Sequence, residues 1–295
     1  MNSSTPSQSP LIGIGFRVPI AKWTLANLHR FDVLEVTVDH YIKGGEYVRR
    51  AIRNLVDRVP LVLHGVGLSL GTDAPLDEAY LDAVAGTIED LKILSYSEHL
   101  AWTKVPGIDL ANLLPVPKTR AAADMLIPKI QRVQAHLPVP FSIENISYVF
   151  DFPDAEMSDA EFFNLLFRET GVEMLLDVEN LFVNFSNHAV DPLALLDELP
   201  EGVVTGVHAA GGPLIRRPYL DVPFQADNHS HPVPQQALDL LEYALERQHP
   251  RTVILERDND YEQGDELLAD VTRIRRHVAK ATVTTEGSMT DAPAY

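Results

Sequence analysis

Cysteine is absent from all 295 residues. Disulfide staples and thiolate metal sites are therefore excluded. Basic residues are scarce as well. Against 42 Asp and Glu stand 24 Lys and Arg, a formal net charge of -18. That balance argues against a duplex nucleic-acid partner, because phosphate binding needs a basic face. No apolar run is long enough to span a membrane. The opening MNSSTPSQSP has neither the basic start nor the apolar stretch of a signal peptide. A cytoplasmic location is the simplest expectation, with neither nucleic acid nor membrane as partner.

What remains is a chain with 45% hydrophobic residues, enough for a large core. Residues 1–10 and 282–295 are polar and read as disordered tails. Between them, short β-branched or apolar runs alternate with longer helical patterns. The predicted strands are Leu11–Gly15, Val33–Val36, Leu61–His64, Ile93–Ser97, Pro140–Ile143, Glu173–Asp177, Val203–His208 and Thr252–Glu256. Helical spacing marks Glu78–Leu91, Arg120–His136, Asp159–Arg168 and Gln235–Arg247. Eight strand–helix units without a compositional break predict one closed (β/α)8 TIM barrel over residues 11–281. The loop from Gly211 to Pro234 has few helical signals and several prolines. Loops of that length in a compact domain are often functional.

The strand ends carry the chemistry. They deliver His64, His99, Glu144, Asp177, His208 and Glu256, and the seventh loop adds Asp227 and His229. Singly, each has a bland reading: a hydrogen-bonded histidine, a helix-capping carboxylate, a loop turn. Jointly they fall where active sites of this barrel are built, at the C-terminal face of the strands. Lys and Arg are scarce at these positions, and unpaired buried charge is strongly disfavoured. Metal cations are the obvious compensation. Glu144, Asp177, Asp227 and Glu256 supply charge for two divalent ions, and the four histidines would bind as neutral imidazoles. Two six-coordinate ions have roughly twelve positions, so some stay open. A third ion would need further donors, such as Asn180, His231 or a substrate group. The all-N/O set suits iron, manganese or zinc without choosing among them.

At these residues the chain resembles a known family, the multinuclear non-haem iron-dependent oxidative enzymes that modify peptides. The matching motifs are His64-Gly65-Val66-Gly67-Leu68-Ser69, Ser97-Glu98-His99-Leu100-Ala101-Trp102, Glu144-Asn145, Leu176-Asp177-Val178 and Asn187-His188. Further along come His208-Ala209-Ala210-Gly211-Gly212, Asp227-x-His229-x-His231-Pro232 and Glu256-Arg257-Asp258-Asn259. The resemblance spans roughly Leu11 to Asp260. It implies two or three iron ions of mixed valence, with O2 as co-substrate. It also implies a ribosomally made precursor peptide as substrate, modified at Cys by preference or at Asp or Asn. By position, the family's iron ligands fall on His64, His99, Glu144, Asp177, His208, Asp227, His229 and Glu256. Asn180 stands where the family often places an amide close to the metals. His231, Asn187, His188, Asp258 and Arg17 are candidates for orienting the ligands or contacting substrate. No leader-recognition segment is visible, so a separate partner protein is expected.

Two departures stand out. Glu179 stands where many members carry Asn, and Asp39-His40 replaces a common Glu-Asn pair. Whether Glu35, Asp39 or His40 touches metal or substrate is left open by the sequence. Two other readings compete. One is a zinc- or manganese-dependent hydrolase or isomerase on a xylose-isomerase- or endonuclease-IV-like barrel. The other is a non-enzymatic metal-binding protein, although a purely structural site is expected to be closed.

Overall fold

The computed structural model describes residues 9–105, 107–216, 223–261 and 264–290, the last eight by backbone path alone. Twelve strands are found among them: β1 (Leu11–Phe16), β2 (Val33–Thr37), β3 (Leu61–Gly65), β4 (Tyr96–His99), β5 (Ala101–Val105), β6 (Ile108–Pro115), β7 (Phe141–Glu144), β8 (Glu173–Asp177), β9 (Val204–Ala209), β10 (Leu214–Ile215), β11 (Phe224–Gln225) and β12 (Thr252–Leu255). Eight of them close a parallel barrel in the order β1-β12-β9-β8-β7-β4-β3-β2. These are the eight strands predicted from the sequence, with ends shifted by a few residues. The largest shift is at β4, which begins at Tyr96 rather than Ile93. Lys92 ends the preceding helix in a left-handed conformation, and Ile93 is used as buried packing.

The helices are α1 (Ala21–Ala26), α2 (Val38–Lys43), α3 (Glu46–Arg53), α4 (Glu78–Leu91), α5 (Arg120–His136), α6 (Asp159–Thr170), α7 (Val178–His188), α8 (Pro192–Glu198), α9 (Gln235–Leu245) and α10 (Gly264–Thr290). Local chemistry starts several of them. Asp77, Thr119, Ser158 and Asp191 each accept a backbone N–H in the first turn, and Ser158 with Glu161 forms a full capping box. α10 continues past Thr282, where the sequence suggested that the ordered chain ends. Extending a helix already nucleated on packed residues such as Leu267, Val271, Ile274 and Val278 costs far less than starting one. Residues 1–8 and 291–295 of the expected tails lie outside the described residues.

Strand alternation positions the site. Ile12, Leu34, Leu63, Ile143, Leu176, Val207 and Leu255 pack into one large cluster with helix residues such as Leu81, Leu126 and Leu241. Their neighbours along each strand point the other way, into the barrel. Deep in the barrel these are Val33, Val62 and Ile254, a separate apolar group. One step further along the same strands stand Glu35, His64 and Glu256. The sequence thus fills the lower barrel with hydrocarbon and its upper mouth with donors. Close approach makes Gly13 obligatory here, since a Cβ would sit 1.8 Å from the Val33 carbonyl oxygen. Gly15 leaves room for the Arg17 guanidinium, whose Nη1 would be 2.7 Å from a Cβ.

Two small antiparallel pairs lie outside the barrel and were not expected from the sequence. β5 and β6 form a hairpin after β4, and β10 pairs with β11 in the seventh loop. Tertiary contacts hold the hairpin. Ser69 Oγ accepts from the N–H groups of Thr103 and Lys104, and Trp102 Nε1 donates to Pro115 O. Within the long loop from Gly211 to Pro234, residues 217–222 lie outside the described residues. No helix among the described residues is long and apolar enough to cross a membrane.

Candidate metal centre

The C-terminal ends of six adjacent strands and one mid-strand residue converge in the barrel mouth. Three overlapping groups have ligand atoms within 4.8 Å of one another: Glu35, His64 and His208; His64, His99 and Glu144; and Glu144, Asp177, His208 and Glu256. Glu144 is the hub. Its Oε2 lies 3.3 Å from His64 Nε2 and 3.2 Å from His99 Nε2, and its Oε1 lies 3.0 Å from His208 Nδ1. The other His208 nitrogen, Nε2, lies 2.8 Å from Glu35 Oε2. Glu256 Oε2 lies 3.2 Å from His208 Nδ1.

The far sides of two rings are fixed by the strands. His99 Nδ1 is 3.0 Å from Gly65 O, an acceptor, so that nitrogen carries a proton. His64 Nδ1 is 2.8 Å from Ser97 Oγ, which itself donates to Leu63 O, so His64 also donates there. In the neutral rings the Nε2 lone pairs are therefore the ones turned towards Glu144. Hydrogen bonds of this kind orient ligating imidazoles and set their tautomer. Ser97→Ala is expected to weaken metal binding by about 10- to 100-fold, without loss of the barrel, because the His64 ring is released. Competition with a chelator of known affinity measures it.

The electrostatics describe a site short of positive charge. Glu35, Glu144, Asp177 and Glu256 are all buried. Burial pushes Asp177 up, and the Glu144 carboxylate pushes it further, to about 8. Glu179 rises to about 9 through burial and then the nearby Asp177 and Asp227. Burial opposes charge on Glu144 too, but His99, His64 and His208 outweigh it and hold it at about 2. His99 goes to about 9, since Glu144 and Glu98 overcome its burial. Protons thus stand where positive charge is wanted. Even so, buried oxygens are left without hydrogen-bond partners among the described residues: Glu35 Oε1, Glu144 Oε2, Asp177 Oδ2 and Asn180 Oδ1. Buried polar atoms rarely go unpaired. Unpaired oxygens beside oriented imidazoles fit a divalent, N/O-preferring metal.

The sequence-derived ligands divide in two. His64, His99, Glu144, Asp177, His208 and Glu256 stand in the shared groups. Asp227 and His229 form an adjoining pair, Oδ1 to Nε2 at 2.7 Å, and reach the rest through His229 Nδ1, 3.5 Å from Glu256 Oε2. Glu35 joins the cluster although the sequence left it open. The available signal was position: it is one residue pair above Val33 on the inward face of β2. Asp39 serves the loop instead, accepting from Val66 N and the Tyr80 hydroxyl, and His40 is exposed. Asp177 has two tasks. Its Oδ1 caps α7 through Asn180 N, while Oδ2 is left to the cluster.

The other candidates are spread more widely. Arg17 is buried against Glu256 Oε1 (3.1 Å) and Asp258 Oδ1 (2.7 Å), and Asp258 also meets His229 Nδ1 at 3.1 Å. Asn180 Nδ2 donates to Asn145 O, and Asn145 in turn clasps both backbone groups of Asp177. Asn187 and His188 stand away from the cluster. Asn187 exchanges two hydrogen bonds with the Gln225 backbone, pinning β11. His188 Nε2 meets Tyr148 O at 2.7 Å and its ring stacks on Tyr148. His231 lines an open cleft of about 1000 Å³ together with Trp23, Tyr261 and Asp260, built from the segments that follow β1, β9 and β12.

Fold and side chains together define a class, (β/α)8 barrels with a buried imidazole–carboxylate cluster at the mouth. The family described as "RiPP precursor modification enzyme MbnB/TglH/ChrH" matches residues 11–279, and the chain belongs to it. That family acts on precursors of ribosomally synthesised, post-translationally modified peptides. Relatives include a UPF0276 protein of Streptomyces avermitilis, 36% identical over 91% of this chain and 55% of that protein's length. The chain thus spans about half of that relative. A UPF0276 protein of Pasteurella multocida is 33% identical over 92% of this chain and 96% of its own length. Among solved structures, a xylose isomerase-like TIM barrel protein from Mycobacterium smegmatis in complex with magnesium has TM-score 0.58 at 12% identity, covering 89% of each chain. An L-ribulose 3-epimerase has TM-score 0.52 at 14% identity, covering 97% of this chain and 99% of that one. At such identities the likeness concerns the fold alone.

Proposed function

We propose that this chain is an iron- and O2-dependent oxidase that modifies a residue, cysteine by preference and otherwise aspartate or asparagine, of a ribosomally made precursor peptide. The observation that carries the reading is the convergence on Glu144 Oε2 of the His64 and His99 Nε2 atoms, 3.3 and 3.2 Å away, with no hydrogen bond made to that oxygen among the described residues. His64, His99, Glu144, Asp177, His208, Asp227, His229 and Glu256 would hold two or three iron ions, with Glu35 as a further donor. When bound, iron supplies the electron exchange with O2 that an oxidation requires.

The protein's own residues do the rest. Ser97 and Gly65 fix two imidazoles, and Asn145 fixes the backbone of Asp177. His208 keeps Glu256 ionised and His229 keeps Asp258 ionised, with Arg17 adding to both and orienting them. The Trp23–His231–Tyr261 cleft offers an aromatic, partly polar surface of a size that suits a peptide segment. A separate protein would recognise the peptide leader, and the reaction would run in the cytoplasm. The hydrolase or isomerase alternative draws support from fold likeness alone, a weak guide to function.

The test pairs the iron-loaded protein, and its partner chain, with a short precursor peptide encoded beside it. Mass spectrometry should show a peptide mass change that needs both iron and O2. Full turnover without O2, or with zinc alone, would overturn the reading.

A further inference from the structure

Two carboxylates grip the loop that follows β3. Val66 N donates to Asp39 Oδ2 at 3.0 Å, and Leu68 N donates to Glu98 Oε2 at 3.1 Å. Both glycines of the His64-Gly65-Val66-Gly67 motif make room for that grip. A Cβ on Gly65 would sit 2.5 Å from Glu98 Oε2, and one on Gly67 would collide with Asp39 Oδ1. Asp39 has a lysine for its charge, Lys43 Nζ at 3.1 Å. Glu98 is placed differently. It is buried, beside Gly65 across the β3–β4 pair. The Tyr96 hydroxyl donates to its Oε2 at 3.0 Å, and His99 N donates to its Oε1 at 3.1 Å. Among the described residues neither lysine nor arginine stands within ion-pair distance of it. Its partner of that kind is the His99 ring, with Nδ1 3.8 Å from Oε1.

We infer that Glu98 is a positioning residue of the metal centre. It holds His99 directly by its backbone N–H. Through Leu68 N it also holds the loop whose Gly65 carbonyl takes the His99 Nδ1 proton at 3.0 Å. Every hydrogen-bonding group that faces Glu98 is a donor, the role set of a carboxylate that accepts only. Such a charge is costly to bury unless something compensates it. With neither lysine nor arginine at hand, the compensation is the His99 imidazole, which becomes more positive when Nε2 gives its lone pair to a metal. A carboxylate near the Nδ1–H side in turn makes Nε2 a stronger donor and fixes the ring. The glycines, the loop and the carboxylate thus serve one ligand. The inference rests on His99 being a metal ligand, and not on iron or on the peptide reaction.

The test titrates the full-length, metal-free protein with cobalt(II), which takes the same N/O donors and reports its surroundings by d–d absorption. Glu98→Gln keeps the volume and one oxygen for His99 N. It removes the charge, and its amide NH2 cannot accept from Leu68 N or Tyr96. Cobalt affinity should fall by about 10- to 100-fold, the range for partners of metal ligands, and the absorption band should shift. Tyr96→Phe removes one donor from the same carboxylate and leaves its charge and its hold on His99. That variant should lower the thermal midpoint while affinity and band stay those of the parent. If Glu98→Gln does not fold, Gly65→Ala takes its place, because the added Cβ pushes Glu98 Oε2 off Leu68 N. The same loss of affinity and shift of band are then expected. A parent protein that takes up no cobalt would sink the metal centre and this inference with it. A parent that binds cobalt, with the folded variant equal to it in affinity and band, would overturn this inference alone.

Discussion

Glu144→Gln strips metal from the protein and lowers activity by at least roughly 100-fold, a loss seen elsewhere when even the partners of metal ligands are changed. The reason is its position. One carboxylate serves His64, His99 and His208, with all four side chains buried or nearly so. Glutamine keeps the volume and one carbonyl oxygen, but it removes the charge that a divalent cation needs at the hub. The barrel itself survives, because Ile143 still packs outward and Asn145 still clasps Asp177. His208→Ala, which removes the ring between Glu35, Glu144 and Glu256, has the same outcome. Metal analysis with a circular-dichroism melt checks both variants. Full metal content in both would refute the ligand assignment.

Arg17→Met destabilises the fold by about 3–5 kcal/mol, the range for removing one partner of a buried ion pair. Arg17 and Glu256 have side chains only 7% exposed, 3.1 Å apart. Without the guanidinium, Glu256 keeps a buried charge close to Glu144 and Asp177, offset only by the His208 and His229 rings on its other oxygen. The contact to Asp258, whose side chain is 41% exposed, adds little because solvent screens it. Arg17→Lys rescues poorly, since one ammonium does not reproduce the Nε and Nη2 contacts to two carboxylates. Urea unfolding of the metal-free protein reads the difference. A change below about 1 kcal/mol, the level of an exposed ion pair, would show that the pair is not buried in solution.

The barrel was legible because each of its strands is a short apolar run with a polar residue where it meets the loop. The same signal pointed to His64, His99, Glu144, Asp177, His208 and Glu256, which stand at or just past strand ends. Glu35 was harder to assign because it lies inside β2, where a mid-strand carboxylate has no separate mark. Its role needs the register with His64 and His208 across the barrel. The β5–β6 hairpin escaped because much of β6 is solvent-exposed and shows no buried-face alternation. Contacts such as that from Ser69, distant in sequence, hold it. Asn187 and His188 are the opposite case. Their motif drew attention, yet the contacts they make are to the Gln225 and Tyr148 backbones, and spacing alone does not reveal partners.

The most direct measurement is the metal content of protein purified without oxygen, read by elemental analysis alongside activity on the precursor peptide. Two or three irons per chain, with activity that tracks iron occupancy, is the predicted result. A stoichiometric complement of zinc alone, with full activity, would contradict it.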